Sequence, residues 1–302
     1  MPFPAKCIRL LLSTTALAAI STAGIAAERS GATPITPKTG AIKLLDGNES
    51  HGLYTWLKDT SYSDPRKVFR IENGTLHISG EGLGYIGTKD EYRDYRLVLE
   101  FRWGKHVWGS RKHRTRDSGL FLHAVGRDGN FIDAQYHADY PFSSDGKPSA
   151  GEYMTSIEAQ MIEGGVGDLI VIQGKGIDGR LMPVALTAEV TRGNVWKKGA
   201  ERRTFSTTSC IQWFGHDPDW KDVTGFRGKD DVESPLGEWT RMEVVCRGGH
   251  IVVRVNGAVV NEATDAQPSA GKILIQCELT ELHVRRWELW PLDTLNPVNP
   301  RE

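Results

Sequence analysis

The stretch "WTRMEVVCRGGHIVVRVNGAVVNEA", residues 239–263, constrains the fold more than any other. Apolar-rich runs break at Gly248-Gly249 and again at Asn256-Gly257. Such dipeptides accept the left-handed backbone of tight hairpins, so the segment reads as an antiparallel meander. Similar short runs precede it: "KVFRIENGTLHIS" with its own Asn73-Gly74 turn, "GYIGT", "DYRLVLEFRW", "SGLFLHAV", "TSIEAQMI" and "DLIVIQG". "KILIQCELTELHVRRWELWPL" supplies one or two closing strands. No long segment shows helical periodicity and strands do not alternate with helices, so the chain is an all-β sandwich or barrel. Residues 104–116 and 213–237 read as long loops, the parts of a β scaffold that most often build sites.

The N-terminus carries different information. Lys6 and Arg9 precede "LLLSTTALAAI", and small residues follow in "STAGIAAERS". This is the pattern of a secretory signal over residues 1–27, cleaved near Ala26 or Ala27, with an uncleaved anchor as the alternative. It implies a periplasmic or secreted protein with no stable membrane insertion after cleavage. Residues 28–40 form a flexible lead-in, residues 41–293 a single domain and residues 294–302 a tail. With 37 basic and 38 acidic residues among 302, the charge recommends neither nucleic acid nor an anionic membrane as partner. Nine Trp and 33 Gly suit a turn-rich β protein with sugar-facing aromatics. An exported chain keeps Cys210, Cys246 and Cys277. A Cys246–Cys277 disulfide is expected because both lie in predicted strands, the alternative being buried thiols.

"TSIEAQMIEGG" interrupts an apolar run with two carboxylates and an amide. Side-chain alternation puts Glu158 and Gln160 on one face and Ile157, Ala159 and Met161 on the other. Glu163 joins the polar face only if a bulge falls around Met161–Ile162.

In order along the chain, "LLDG", "GYIGTKDEYRDYRLVLEFRW", "RDSGLFLH", "SIEAQMIEGGVGDLIVI", "DWKDVTGFRG" and "GEWTRMEVVCRGGHIVVRVNG" resemble the 3-keto-disaccharide hydrolase domain family. The resemblance implies a concanavalin A-like jelly-roll sandwich of two curved antiparallel sheets. It also implies action on small carbohydrates already oxidised at carbon 3. A ketone there acidifies the hydrogen on carbon 2, and the glycosidic oxygen on carbon 1 lies beta to the carbonyl. A base can form the enolate and expel the second sugar, and water added to the enone completes a net hydrolysis. That chemistry needs a base, a stabiliser for the enolate oxygen and a proton for the leaving group.

Glu163, beside the glycine-rich "GGVGD", is the first candidate for general base or acid, with Glu158 sharing the work and Gln160 binding a hydroxyl. A solvated strand face is the competing reading. The E-x-Q-x-x-E spacing also approaches the E-x-D-x-x-E pattern of laminarinase-type retaining hydrolases, whose two carboxyls stand about 5–5.5 Å apart. Gln160 in place of the Asp puts that mechanism in doubt. His123 shares a strand face with Gly119 and Phe121, as a proton carrier or a structural histidine. Arg116 is placed to stabilise an enolate, or to form a structural ion pair with Asp117 at the edge of the cleft. Trp213 and His216 are candidate sugar contacts, as is Trp220 unless it anchors its loop. His106 and His113 read as a solvated basic rim. Mixed His, Asp and Glu could hold a divalent ion, but no compact ligand motif commits the chain to a metal or any other cofactor, and the oligomeric state stays open. A non-catalytic, lectin-like carbohydrate-binding module is the alternative from another class, because this fold serves binding as readily as catalysis.

Overall fold

The structure is a computed structural model and describes residues 33–47, 52–131 and 151–292. The expected signal segment, the part of the lead-in before residue 33 and the tail lie outside the described residues. Strands are numbered β1–β17 in chain order. One sheet has seven strands, ordered β12 (Ser209–Ile211), β9 (Leu169–Ile172), β8 (Thr155–Ile162), β7 (Asp117–Val125), β16 (Lys272–Glu278), β5 (Leu83–Thr88) and β2 (Leu53–Leu57). The other has ten. Its path is β11 (Glu201–Phe205), β10 (Ala185–Val190), β15 (Ala258–Gln267), β14 (His250–Val255), β13 (Thr240–Arg247), β6 (Tyr95–Val107), β17 (Thr280–Trp290), β4 (Thr75–Ile78) and β3 (Phe69–Glu72), with β1 (Ile42–Lys43) also on β17. Every pairing between these strands is antiparallel. The result is the expected jelly-roll sandwich. Among the described residues no helix is long and apolar enough to cross a membrane.

Alternation decides which way each strand faces. Met242, Val244 and Cys246 of β13, with Ile251, Val253 and Val255 of β14, turn inward and are fully buried. They meet Leu120, Leu122, Ile157, Ala159 and Met161 of the seven-stranded sheet in one core. Each such aliphatic side chain contributes about 1.5–3 kcal/mol of burial, so a register slip in either sheet would be heavily penalised. The Asn73-Gly74, Gly248-Gly249 and Asn256-Gly257 turns fall between paired strands as expected.

Two expectations need correction, those of the disulfide and of the first long loop, and two others become more specific. The expected disulfide is not formed: Cys246 and Cys277 are free, buried thiols. They sit on strands of opposite sheets, and facing sheets pack about 10 Å apart, beyond the usual reach of a disulfide. Burial raises both thiol pKa values, that of Cys246 to about 12. β6 continues to Val107, into the predicted loop, before the short 3₁₀ turn Gly109–Arg111. The closing segment makes two strands, β16 and β17, which belong to different sheets. The lead-in is tied down where it is described: Ile35 bridges Tyr92 and exchanges backbone hydrogen bonds with Glu91 and Arg93.

Candidate active site

The candidate site lies on the face of the seven-stranded sheet turned away from the core. β8 supplies Glu158, Gln160 and Ile162 to this face, because Ile157, Ala159 and Met161 are taken by the core. Its pairing with β7 runs without a shift from Asp117↔Ile162 to Leu122↔Ile157. The bulge at Met161–Ile162 on which the place of Glu163 depended is therefore absent, and Ile162, not Glu163, continues the row that Glu158 and Gln160 begin.

A cleft of about 180 Å³ opens over β8, β9 and the loop after β12. Gln160, Asp168, Gln212, His216, Asp217 and Trp220 line it together with Ile162, Ile170, Cys210 and Pro218. Asp168 organises this corner. Its backbone carbonyl accepts from Gln160 N at 2.9 Å, which sets the two residues opposite one another across the β8–β9 hairpin. Asp168 Oδ1 accepts from Trp213 N at 2.7 Å, and Oδ2 lies 3.1 Å from His216 Nδ1. Burial opposes a charge on His216, but the Asp168 carboxylate outweighs it, with Asp217 adding, so the pKa is raised above the ordinary 6.5. With Nδ1–H held by Asp168, Nε2 is the nitrogen left to exchange a proton.

Gln160 is also oriented by the backbone. Its Oε1 accepts from Met161 N at 2.9 Å, so the amide presents Nε2 as its free donor, which has no partner among the described residues. Glu158 lies over Gly119 of β7: a Cβ at Gly119 would sit 2.0 Å from Glu158 Oε1. Only glycine leaves the carboxylate room.

Glu163 holds a different place. Its Oε1 accepts from Arg116 Nη1 at 2.8 Å, and its Oε2 accepts from Arg116 N at 2.8 Å and Gly225 N at 3.0 Å. Both oxygens are engaged by donors that tie the 213–237 loop to β7. Its backbone carbonyl accepts from Trp220 Nε1 at 2.9 Å, so the pair Arg116–Glu163 sets one wall of the cleft without lining it. Arg116 and Asp117 do not pair with each other. Asp117 instead meets the buried guanidinium of Arg111, which also contacts Glu278 at 2.8 Å.

Two further candidates lie in the core. The register shift between Leu122 and Val125 and the positive φ of 54° at His123 turn its ring away from Phe121. It packs edge-on against buried Tyr95, centroids 5.7 Å apart, and donates from Nδ1 to Pro268 O at 3.1 Å. Trp213 is 1% exposed within the main core, so its faces are not offered to a sugar. Trp220 both anchors its loop and lines the cleft, its ring 6.0 Å from that of His216.

Sequence reasoning missed Asp168, Gln212 and Asp217. Asp168 was within reach: it closes the "GGVGD" turn, and pairing Gln160 across a hairpin would have put it on the same face.

A polar cleft on one sheet of a β-sandwich, with a histidine–carboxylate pair inside it, defines a candidate acid–base site. Residues 40–289 match the 3-keto-alpha-glucoside-1,2-lyase-like domain, and the chain belongs to that family. Membership places it among carbohydrate-acting domains. No curated protein sequence matches it. Similar solved structures include a candidate glycosyl hydrolase from Parabacteroides distasonis, 15% identical over 84% of this chain and 94% of that one, TM-score 0.42. A β-glucanase from Bacillus licheniformis is 10% identical over 84% and 99%, TM-score 0.38. A carbohydrate-binding module from Bacillus subtilis is 7% identical over 78% and 93%, TM-score 0.36.

Proposed function

We propose that the protein is an exported enzyme that cleaves 3-keto-glycosides by proton abstraction, with His216 as the principal acid–base group. The observation that carries this reading is the Asp168–His216 pair beside an amide whose donor faces the same cleft. His216 Nε2 takes the proton from carbon 2, and the electrons move into an enolate whose oxygen accepts from Gln160 Nε2. The carbon 1–oxygen bond then breaks as the double bond forms, and the leaving oxygen takes a proton from the imidazolium or from water. Addition of water to carbon 1, with a proton returned to carbon 2, gives the hydrolysed keto sugar. Trp220 offers an apolar surface for the ring. Glu158, two residues from Gln160 on the same face, is a second acid–base candidate.

The laminarinase-type reading loses support because it needs both carboxylates at one glycosidic bond, and Glu163 is occupied by Arg116 and Gly225. The segment over residues 1–27 supports export to the periplasm or beyond.

The test incubates the purified protein with 3-keto-lactose and 3-keto-trehalose beside their unoxidised parents and a β-glucan, with enone absorbance and mass spectrometry as readouts. Cleavage of the keto sugars alone, reduced by His216→Ala by the ~10²–10⁴-fold of a lost acid–base group, is expected. Cleavage of the β-glucan would overturn the substrate class. Saturable binding of the sugars without turnover would make the protein a lectin-like module instead.

A further inference from the structure

The outer face of the ten-stranded sheet, turned away from the core, carries a second cluster of side chains able to do chemistry. His77 of β4 pairs directly with His283 of β17, and their rings stack at 4.7 Å. Glu281 lies two residues before His283 on the same strand. Its Oε1 is 2.9 Å from His77 Nε2 and 3.8 Å from His283 Nε2. From the end of β6, His106 Nδ1 reaches Glu281 Oε2 at 2.8 Å. Three imidazoles from three strands thus surround one carboxylate.

The arrangement is built, not incidental. Glu281 lies across Gly104 so closely that a Cβ there would sit 2.4 Å from Oε2. Lys105 N and His106 N donate to that oxygen at 2.8 and 3.0 Å, which fixes the carboxylate and leaves Oε1 facing the two stacked rings.

We propose that His77, Glu281 and His283 form a binding site for a borderline divalent transition ion such as Zn²⁺. Two imidazoles and one carboxylate are a common zinc ligand set. Bonds near 2.1 Å in a tetrahedron put donor atoms about 3.4 Å apart. The three donor atoms lie within 4.8 Å of one another, with separations of 2.9 and 3.8 Å to the carboxylate oxygen, so small side-chain movements complete the geometry. The ion would clip β4 to β17 on the opposite side of the sandwich from the cleft.

Arg70 sets the competition for this site. Its Nη2 lies 2.7 Å from His77 Nδ1, and an arginine can only donate, so Nδ1 accepts and Nε2 carries the proton toward Glu281. For Nε2 to ligate, Arg70 must withdraw and the proton must move from Nε2 to Nδ1 by exchange with solvent. Arg70 is exposed enough to swing away, its side chain being 42% accessible. Arg102 also contributes positive charge near His283.

The test uses tag-free protein stripped with EDTA, dialysed, and titrated with ZnCl2 by calorimetry. One equivalent per chain is expected. His77→Ala and His283→Ala should each weaken binding by at least the ~10–100-fold that follows loss of even an outer partner of a metal ligand. Arg70→Ala should tighten it. Absence of saturable binding to the wild type, or equal binding to either histidine variant, would overturn the site, and unchanged affinity in Arg70→Ala would overturn the competition. Should a variant fail to fold, Co²⁺ added to the wild type decides. An intensified visible band of a low-coordinate nitrogen and oxygen site supports the proposal, whereas an aqua-ion or thiolate spectrum sinks it.

Discussion

His216 Nδ1 lies 3.1 Å from Asp168 Oδ2, and the same carboxylate takes Trp213 N at 2.7 Å. One buried acid therefore fixes both the ring and the loop that carries it. In the proposed reaction the neutral ring is the base, so kcat/KM for a 3-keto-glycoside should fall as pH drops through the His216 pKa, which Asp168 holds above 6.5. Asp168→Asn keeps an oxygen for Trp213 N but removes the attraction for the imidazolium while burial remains. The acidic limb of the pH–rate profile should move to lower pH, and the plateau should fall because the tautomer is less firmly held. An acidic limb that stays in place in this variant would assign the titration to another group.

The two tryptophans of the loop should separate by what they lose. Trp213 is buried in the core, so Trp213→Ala should cost about 3–5 kcal/mol of stability, read as a lower midpoint in urea. Trp220 is half-buried, lines the cleft and donates to Glu163 O. Trp220→Ala should leave the fold largely intact and raise KM. If Trp213→Ala were stable and impaired only in binding, the core placement would be wrong for the working protein.

Gly119→Ala tests the space reserved for Glu158. The added methyl meets the carboxylate in the middle of a paired strand, so either Glu158 leaves its position or β7 moves. Overpacking of this kind costs about 1–3 kcal/mol. Turnover should drop with it if Glu158 takes part in proton transfer. A double variant with Glu158→Ala should recover most of the stability and none of the activity; failure to recover stability would place the strain elsewhere.

These contrasts show what was legible in the sequence. Alternation and turn dipeptides gave the strands around Glu158, Val244 and Val253, since a period of two with one buried face is a local signal. The placement of Glu158 and Gln160 followed from it. What alternation could not give was the shift in β7 that turns His123 inward, because a bulge is settled by packing against Tyr95 and not by local composition. Nor could spacing show that Glu163 would be claimed by Arg116 and by Gly225, 62 residues away. Two carboxylates close in sequence drew attention away from Asp168, whose partner His216 is 48 positions distant.

Glu233 offers a test of the long loop that does not depend on substrate. It belongs to that loop, its side chain is fully buried, it takes Trp103 Nε1 on Oε1, and it has Arg227 Nε 3.7 Å from Oε2. Burial raises its pKa from 4.5 to about 8, only partly countered by Arg227, and the Asp231 and Glu163 carboxylates push the same way. The folded state therefore binds the proton more tightly than the unfolded chain. Between these two pKa values the native protein carries more protons than the unfolded one, so stability must fall as pH rises. The protonated group contributes nothing adverse below pH 4.5, and the full penalty, on the order of a few kcal/mol, is reached above pH 8. Glu233→Gln keeps an acceptor for Trp103 and removes the titration. Urea midpoints from pH 5 to 9 should decline more steeply for the wild type than for the variant, and the variant should be the more stable at pH 9. Parallel declines would mean that Glu233 is ionised in the fold throughout, with Arg227 closer to it than 3.7 Å.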